Sequence, residues 1–268
     1  MNIIVCVKQV PNTANIKIDP QTNTLIRTDV ESILNTYDGF ALEAAARIRD
    51  ELPDTGIFVL SMGPPQAGNA LRECLAVAAD TAYLATDRLF GGSDTLATGY
   101  ILSECIKKIE ELEAVKFDAV FCGKQAIDGD TAQTGPMIAE FLGLPQITGA
   151  LTCRYNDGGL NVLREAENCR QLMRVGFPCL VTFTKPNFDP RFPTVGRKLA
   201  ARKAEIRHLG IADIPDIDTA KIGLNGSPTK VRKTFVMPAR NGGVTVKEET
   251  VKATAAKLVR LLANRGIL

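Results

Sequence analysis

The sequence predicts an α/β fold: a doubly wound, mainly parallel sheet with helices on both faces, an inserted hairpin and an extended C-terminal arm ending in a helix. Three observations carry this. Short continuous apolar runs recur through the first half, as strands buried on both faces require. Between them apolar residues repeat at helical spacing, and strands alternating with helices build a parallel sheet. After Pro145 the texture changes to hairpins, and from Ile211 to Gly243 Pro, Gly and Asp punctuate every few residues. The expected organisation is one α/β nucleotide-binding domain over residues 1–205, followed by an arm and helix over 206–268.

The runs Ile3-Ile4-Val5-Cys6-Val7, Ile57-Phe58-Val59-Leu60 and Ala119-Val120-Phe121-Cys122 read as strands, with Ala82-Tyr83-Leu84 as a weaker fourth. Helical spacing covers Phe40 to Leu52, Ala70 to Ala78 and Ile101 to Ile109. Between Asn12 and Arg27, Ile16 to Pro20 and Thr24 to Arg27 alternate around Gln21-Thr22-Asn23, the inserted hairpin. Thr148 to Tyr155 and Leu160 to Glu165 flank Asn156-Asp157-Gly158-Gly159, a strong hairpin turn. Leu180 to Phe183 is a further strand, and Gly196 to Lys203 forms a basic helical patch that His208 follows. Lys247 to Asn264 closes the chain as an amphipathic helix.

Composition excludes several functions. Lys plus Arg is 32 and Asp plus Glu is 30, a net charge of +2 that provides no global field for nucleic acid or an anionic membrane. There is no Trp, 6% of residues are aromatic and His208 is the single histidine. A base-stacking surface, a His-rich metal site and a His-dependent triad all lack material. No side chain is assigned a catalytic role. The seven cysteines include no Cys-x-x-Cys pair and fit small buried hydrophobes in a reducing cytosol. The first apolar run stops at Lys8, too short for a signal peptide, and no stretch is long enough to span a membrane. A cytoplasmic protein is expected.

In a doubly wound sheet the ligand binds where the strands end at their carboxyl edge. Two strand–helix junctions there can take phosphate. Phe121 to Gly135 leaves a strand at Gly123, passes Gly129 and opens a helix with Asp130 or Thr131 as N-cap and Thr134 in its first turn. Phe90 to Thr98 places Gly91-Gly92 before Ser93, Asp94, Thr95 and Thr98. Either is an ordinary capped helix or an anion site built on free N–H groups and the helix dipole; two such starts suit a pyrophosphate. Lys8 follows the first strand as a ligand contact or a solvated lysine, and Asp38 binds a ribose hydroxyl or caps. Gly63-Pro64-Pro65 admits a flat ring or merely ends a strand. A Walker Lys-Ser pair and a Gly-x-Gly-x-x-Gly after the first strand are both missing.

The run Gly123-Lys124-Gln125-Ala126-Ile127-Asp128-Gly129-Asp130-Thr131-Ala132-Gln133-Thr134-Gly135 resembles the electron transfer flavoprotein β subunits. Val5 to Pro11 with Asp19-Pro20, Asn35-Thr36-Tyr37-Asp38, Met62-Gly63-Pro64, Pro178 to Thr182, Pro190-Arg191-Phe192 and Lys198 to Lys203 fit the same pattern, essentially end to end. The resemblance implies a doubly wound β subunit whose C-terminal arm embraces an α subunit carrying FAD. Housekeeping members hold AMP in β. Electron-bifurcating members hold a second FAD there, take hydride from NADH, and divide the electrons between ferredoxin or flavodoxin and, through the α flavin, an acyl-CoA or related dehydrogenase. Gly129 to Thr134 departs from the housekeeping Asp-Asp-Cys-Asn-Gln-Thr, and Gly91 to Thr98 is similar to the bifurcating group, so FAD is expected rather than AMP.

By the same resemblance Gly123, Thr131, Ala132, Gln133 and Thr134 hold one end of the nucleotide. Asp94, Thr95, Ala97 and Thr98 hold the pyrophosphate, and Val7, Lys8, Asp38, Met62 and Gly63 line the adenosine or flavin side. The partner-docking loop falls at Pro193 to Gly196, where Val195 replaces the Leu of housekeeping members. Two other classes compete. An ATP pyrophosphatase has a related Ser-Gly-Gly-x-Asp-Ser loop, but after its first strand; a nucleotide-binding stress protein leaves the long arm unexplained.

Overall fold

The computed structural model describes residues 1–12, 17–18, 25–26, 32–230 and 242–268. The chain divides into two compact units, Met1–Arg232 and Lys233–Leu268. In chain order the first runs β1 (Asn2–Val7), β2 (Gln9–Pro11), β3 (Lys17–Ile18), β4 (Leu25–Ile26), β5 (Ser32–Leu34), α1 (Thr36–Glu51), β6 (Gly56–Met62), α2 (Gly68–Val77), β7 (Thr81–Ala85), α3 (Thr95–Glu113), β8 (Ala119–Gly123), α4 (Thr134–Leu142), β9 (Gln146–Tyr155), β10 (Gly159–Glu165), β11 (Arg170–Gly176), β12 (Cys179–Phe183), α5 (Val195–Lys203) and β13 (Arg207–Leu209).

Nine strands form one sheet in the order β11-β10-β9-β12-β8-β1-β6-β7-β13. All neighbours pair parallel except β10, which runs antiparallel to both β9 and β11. Side chains alternate across a strand, so β1 serves two cores. Ile3, Val5 and Val7 join α1 and α2 on one face, while Ile4 and Cys6 join α3 and α4 on the other. This is the doubly wound α/β architecture that the alternation of apolar runs predicts.

The inserted hairpin is present: β3 pairs antiparallel with β4, Lys17 opposite Ile26, and β2 with β5 extends its stem. Its Gln21-Thr22-Asn23 turn and Asp19-Pro20 lie outside the described residues. The Asn156 to Gly159 turn forms as expected, with positive φ at Asp157 and Gly158 and reciprocal backbone bonds between Asn156 and Gly159. Strand β11, absent from the sequence reading, sits at the sheet edge with mostly exposed side chains, so no apolar run marks it.

Two expectations need correction. The helix after β8 starts at Thr134, with Gln133 as an N-cap residue whose side chain makes no capping bond, and not at Asp130 or Thr131. Asp130 and Ala132 have φ of 51° and 53°, a left-handed backbone that cannot belong to a helix. His208 does not end the basic helix either. Ala204 turns extended and Arg207–Leu209 pairs with β7.

Helices α3 and α4 touch closely because Gly99 has no side chain; a Cβ there meets Met137 Cβ at 2.7 Å. Gly99→Ala gains about 1 kcal/mol of helix propensity and loses about 1–3 kcal/mol to overpacking. Urea unfolding is expected to show a small net loss, and a gain would show that Met137 yields freely.

Residues 211–230, the start of the predicted arm, lie against this body: Ile214, Ile217 and Ile222 are buried in the core beside α3. Residues 231–241 lie outside the described residues. The second unit carries α6 (Val251–Ala263), whose N-cap Thr250 accepts the Ala253 N–H at 3.1 Å. No residue of α6 is buried, and Val251, Leu258 and Val259 are exposed. No helix among the described residues is long and apolar enough to cross a membrane.

Candidate functional site

Strand order reverses between β1 and its neighbours β6 and β8, so the switch point lies at their carboxyl ends. The residues singled out in the sequence gather there. Val7 is buried at the end of β1, and its register with Ser61 sets Lys8 beside Met62 and Gly63 at the end of β6. Gly123 ends β8 on the other side. Lys8 reaches across with its Nζ 2.7 Å from Asp128, a half-exposed pair worth little in stability that leaves the lysine available to a phosphate.

Asp38 clamps this edge. One carboxylate oxygen accepts the Lys8 N–H at 2.7 Å and the other accepts the Gly123 N–H at 3.1 Å. It is therefore not the cap of α1, and its oxygens face backbone donors. Burial pushes its pKa up to about 7, against the bonds from Asn35, Lys8 and Gly123 and the charge of Lys8. Gly123 is glycine for space: a Cβ there lies 2.2 Å from Asp38 Oδ1 and 2.7 Å from the Tyr37 carbonyl carbon.

The loop after β8 is held by Asn35, a residue to which the sequence reading gave no role. Its Nδ2 donates to the Gln125 carbonyl at 2.9 Å and its Oδ1 accepts the Ile127 N–H at 3.1 Å. No local signal marks this contact, because its partners Gln125 and Ile127 lie some 90 positions away in the chain. Ala132 with positive φ, followed by Gln133 in the right-handed region, is the alternation that turns successive N–H groups to one side. The N–H groups of Ala132, Gln133, Thr134 and Gly135 have no acceptor among the described residues. Gly135 lets α4 start flat on the sheet, since a Cβ would lie 2.6 Å from Thr182 Cγ2. An uncapped helix start with convergent donors is an anion cradle.

The start of α3 is arranged differently. Asp94 is its N-cap, with Oδ1 accepting the Leu96 and Ala97 N–H groups at 3.0 and 3.1 Å. These N–H groups are thus satisfied within the chain, and what α3 still offers a phosphate are the Thr98 hydroxyl and, once it leaves Gln133, the Thr95 hydroxyl. Thr95 Oγ1 donates to Gln133 Oε1 at 3.0 Å, so the two helix starts meet directly.

Val195 lies apart. It opens α5, which packs on α2 across the opposite face of the sheet from α3 and α4. Val195 is 78% exposed and Phe192 91%, an apolar pair turned to solvent. Part of the basic patch is internal: Arg197 donates to the Leu75 and Ala79 carbonyls at 3.2 and 2.9 Å. A groove of about 790 Å³ between α1 and β9–β10 lies at another part of the sheet, walled by Arg191 paired with Glu43 and Asp50. Six cysteines are buried and Cys169 is exposed, all as free thiols. Burial drives the Cys74, Cys105 and Cys153 thiols far up and Cys179 to about 12, which makes them inert at neutral pH.

Comparison with known proteins agrees with this geometry. The family model described as electron transfer flavoprotein domain matches residues 22–214. The chain is 50% identical over 250 residues to the electron transfer flavoprotein subunit beta of Megasphaera elsdenii, covering 93% of this chain and 92% of that one. It is 45% identical over 268 residues to the caffeyl-CoA reductase-Etf complex subunit CarD of Acetobacterium woodii, covering both chains in full. It is 42% identical to Protein FixA of Azorhizobium caulinodans over 99% of this chain and 95% of that one. With its switch-point site and end-to-end similarity, this chain belongs to the electron transfer flavoprotein family, among the β subunits.

Proposed function

We propose that this chain binds FAD at the switch point and works in the cytoplasm as the β half of an αβ electron transfer flavoprotein that oxidises NADH. The observation that carries the reading is the Thr95–Gln133 bond, which brings two helix starts to one place as a diphosphate requires. Bound there, FAD supplies hydride acceptance and onward one-electron transfer, so the protein needs no acid–base side chain of its own. The chain's own residues bind and orient. The N–H groups of Ala132 to Gly135, with the Thr131 and Thr134 hydroxyls, take one phosphate. Thr95 and Thr98 take the other, with Asp94 and Ala97 holding the turn that presents them. Gly123, which lets α1 close on the end of β8, keeps the cradle loop in place at one end of the nucleotide, while Val7, Lys8, Met62 and Gly63 line its adenosine or flavin side. Asp38 acts on that side through the backbone of Lys8 and Gly123.

The partners proposed are an electron transfer flavoprotein α subunit, an acyl-CoA or related dehydrogenase, and ferredoxin or flavodoxin. Residues 242–268, the far part of the expected arm, are proposed to contact α, and the uncovered apolar side chains of α6 support this. Val195 and Phe192 are proposed to face the dehydrogenase; a relative is named as a subunit of a caffeyl-CoA reductase complex. A second reading, the housekeeping type with AMP in β, has its own support: Asp94 satisfies the first N–H groups of α3, which leaves one open cradle for one phosphate.

Purified αβ complex is expected to contain two FAD per heterodimer and to bleach with NADH. Thr95→Ala with Thr98→Ala removes hydroxyl bonds to a charged group, worth about 1.5–3 kcal/mol each, and is expected to lose one of the two flavins. One FAD plus one AMP, with no reduction by NADH, would establish the second reading instead.

A further inference from the structure

Residues 222–229 lie across the start of α3 and reach the residues proposed for the nucleotide. Ser93 Oγ accepts the Gly223 N–H at 3.1 Å. Ser227 Oγ donates to the Gly223 carbonyl at 2.6 Å and accepts the Asp94 N–H at 2.8 Å. Thr229 donates twice to Asp94 Oδ2, from its N–H at 3.0 Å and its hydroxyl at 2.6 Å. The other oxygen of Asp94 caps α3, so one carboxylate ties the helix start to the crossing segment. Burial opposes its charge, yet the bonds from Thr229, Ala97 and Leu96 hold it below the usual carboxylate range.

The fit of this segment is close. Gly223 has φ +57°, and a Cβ there lies 2.2 Å from the Leu89 carbonyl oxygen. A Cβ on Gly226 lies 2.0 Å from the Lys221 carbonyl carbon. Upstream, the Asp218 N–H donates to the Tyr100 hydroxyl of α3 at 2.9 Å, and Ile217 and Ile222 are buried beside that helix. The segment is thus seated in one register along α3.

Resting on the nucleotide reading above, we infer that Ser227 and Thr229 are positioning residues for the nucleotide site. They fix Asp94, Asp94 fixes the first turn of α3, and that turn sets Thr95 against Gln133. Neither residue touches the ligand in this arrangement. Because linkage is reciprocal, nucleotide binding and the seating of residues 222–229 strengthen one another.

The test uses the full αβ complex stripped of the β nucleotide, with AMP and FAD as separate probes. Thr229→Val keeps the side-chain shape and the N–H bond and removes the hydroxyl bond; Ser227→Ala is the second variant. The Kd for AMP and for FAD is expected to rise about 5-fold or more in each, and AMP is expected to slow amide exchange at Gly223 and Thr229 of the wild type. Wild-type complex that binds neither nucleotide overturns the nucleotide reading, and this inference with it. Tight wild-type binding, with unchanged Kd in both variants and unchanged exchange at Thr229, overturns this inference alone. Should Thr229→Val fail to fold, Ser227→Ala and the wild-type exchange decide.

Discussion

Gly123→Ala is expected to destabilise the protein by about 3 kcal/mol or more, at the top of the range for overpacking, and to empty the nucleotide site. The new Cβ sits 2.2 Å from Asp38 Oδ1, 2.7 Å from the Tyr37 carbonyl carbon and 2.8 Å from the Asp38 nitrogen. Two of these are backbone atoms in the first turn of α1, and that turn is pinned: the Asn35 N–H donates to the Lys8 carbonyl at 2.9 Å, and Asn35 also holds the loop after β8. Relief requires moving α1 off the sheet or bending β8. Either breaks the Gly123–Asp38 bond and displaces the loop that leads to Ala132 and Gln133. Urea unfolding and nucleotide content measure the two effects. A midpoint within error of wild type would show that α1 can slide.

Asp38 makes stability depend on pH in an unusual direction. Its folded pKa is raised to about 7 from 3.8, so between these values the native state holds a proton that the unfolded chain has released. Stability is therefore highest below the unfolded value and falls as pH rises through the folded one, by at most about 1.4 kcal/mol per pH unit. Asp50 and Asp94, held low by their hydrogen-bond partners, act in the opposite sense. Asp38→Asn removes the titrating group, so the difference between wild-type and variant stability is expected to change steadily from pH 4 to 7 and level off above. Parallel profiles across that window would refute it. Asp38→Ala instead leaves the Lys8 and Gly123 N–H groups without an acceptor, a loss of about 1–3 kcal/mol for each.

Much of the fold was legible because local pattern and tertiary role coincide. Ile3 to Val7 is continuously apolar because β1 is covered on both faces, with Ile4 packed towards α3 and α4 and Val5 towards α1 and α2. The Asn-Asp-Gly-Gly turn announces itself because positive φ selects those residues. Of Ser93 and Asp94, the two residues able to cap α3 by type, Asp94 takes the role, because capping is decided within three residues. Failures came where a residue type had two uses. Asp130 and Thr131 are good caps by type but lie in a loop whose Asp130 and Ala132 are left-handed; Asn35, also a good cap by type, holds a loop some 90 positions away. Strand β11 left no trace because an edge strand with exposed side chains has no buried face to pattern.

The sequence by itself determined the alternating strands and helices and both strand–helix junctions that make up the candidate site. Their union into one site was decided only by the tertiary structure. Asp38 and Gly123 are 85 positions apart, and Asp94 and Thr229 are 135 apart. The physical reason is strand order. Spacing along the chain encodes which face a residue presents, whereas which strand ends meet depends on how the whole sheet is assembled. Placing β8 beside β1, and α3 against α4, brings Thr95 to Gln133.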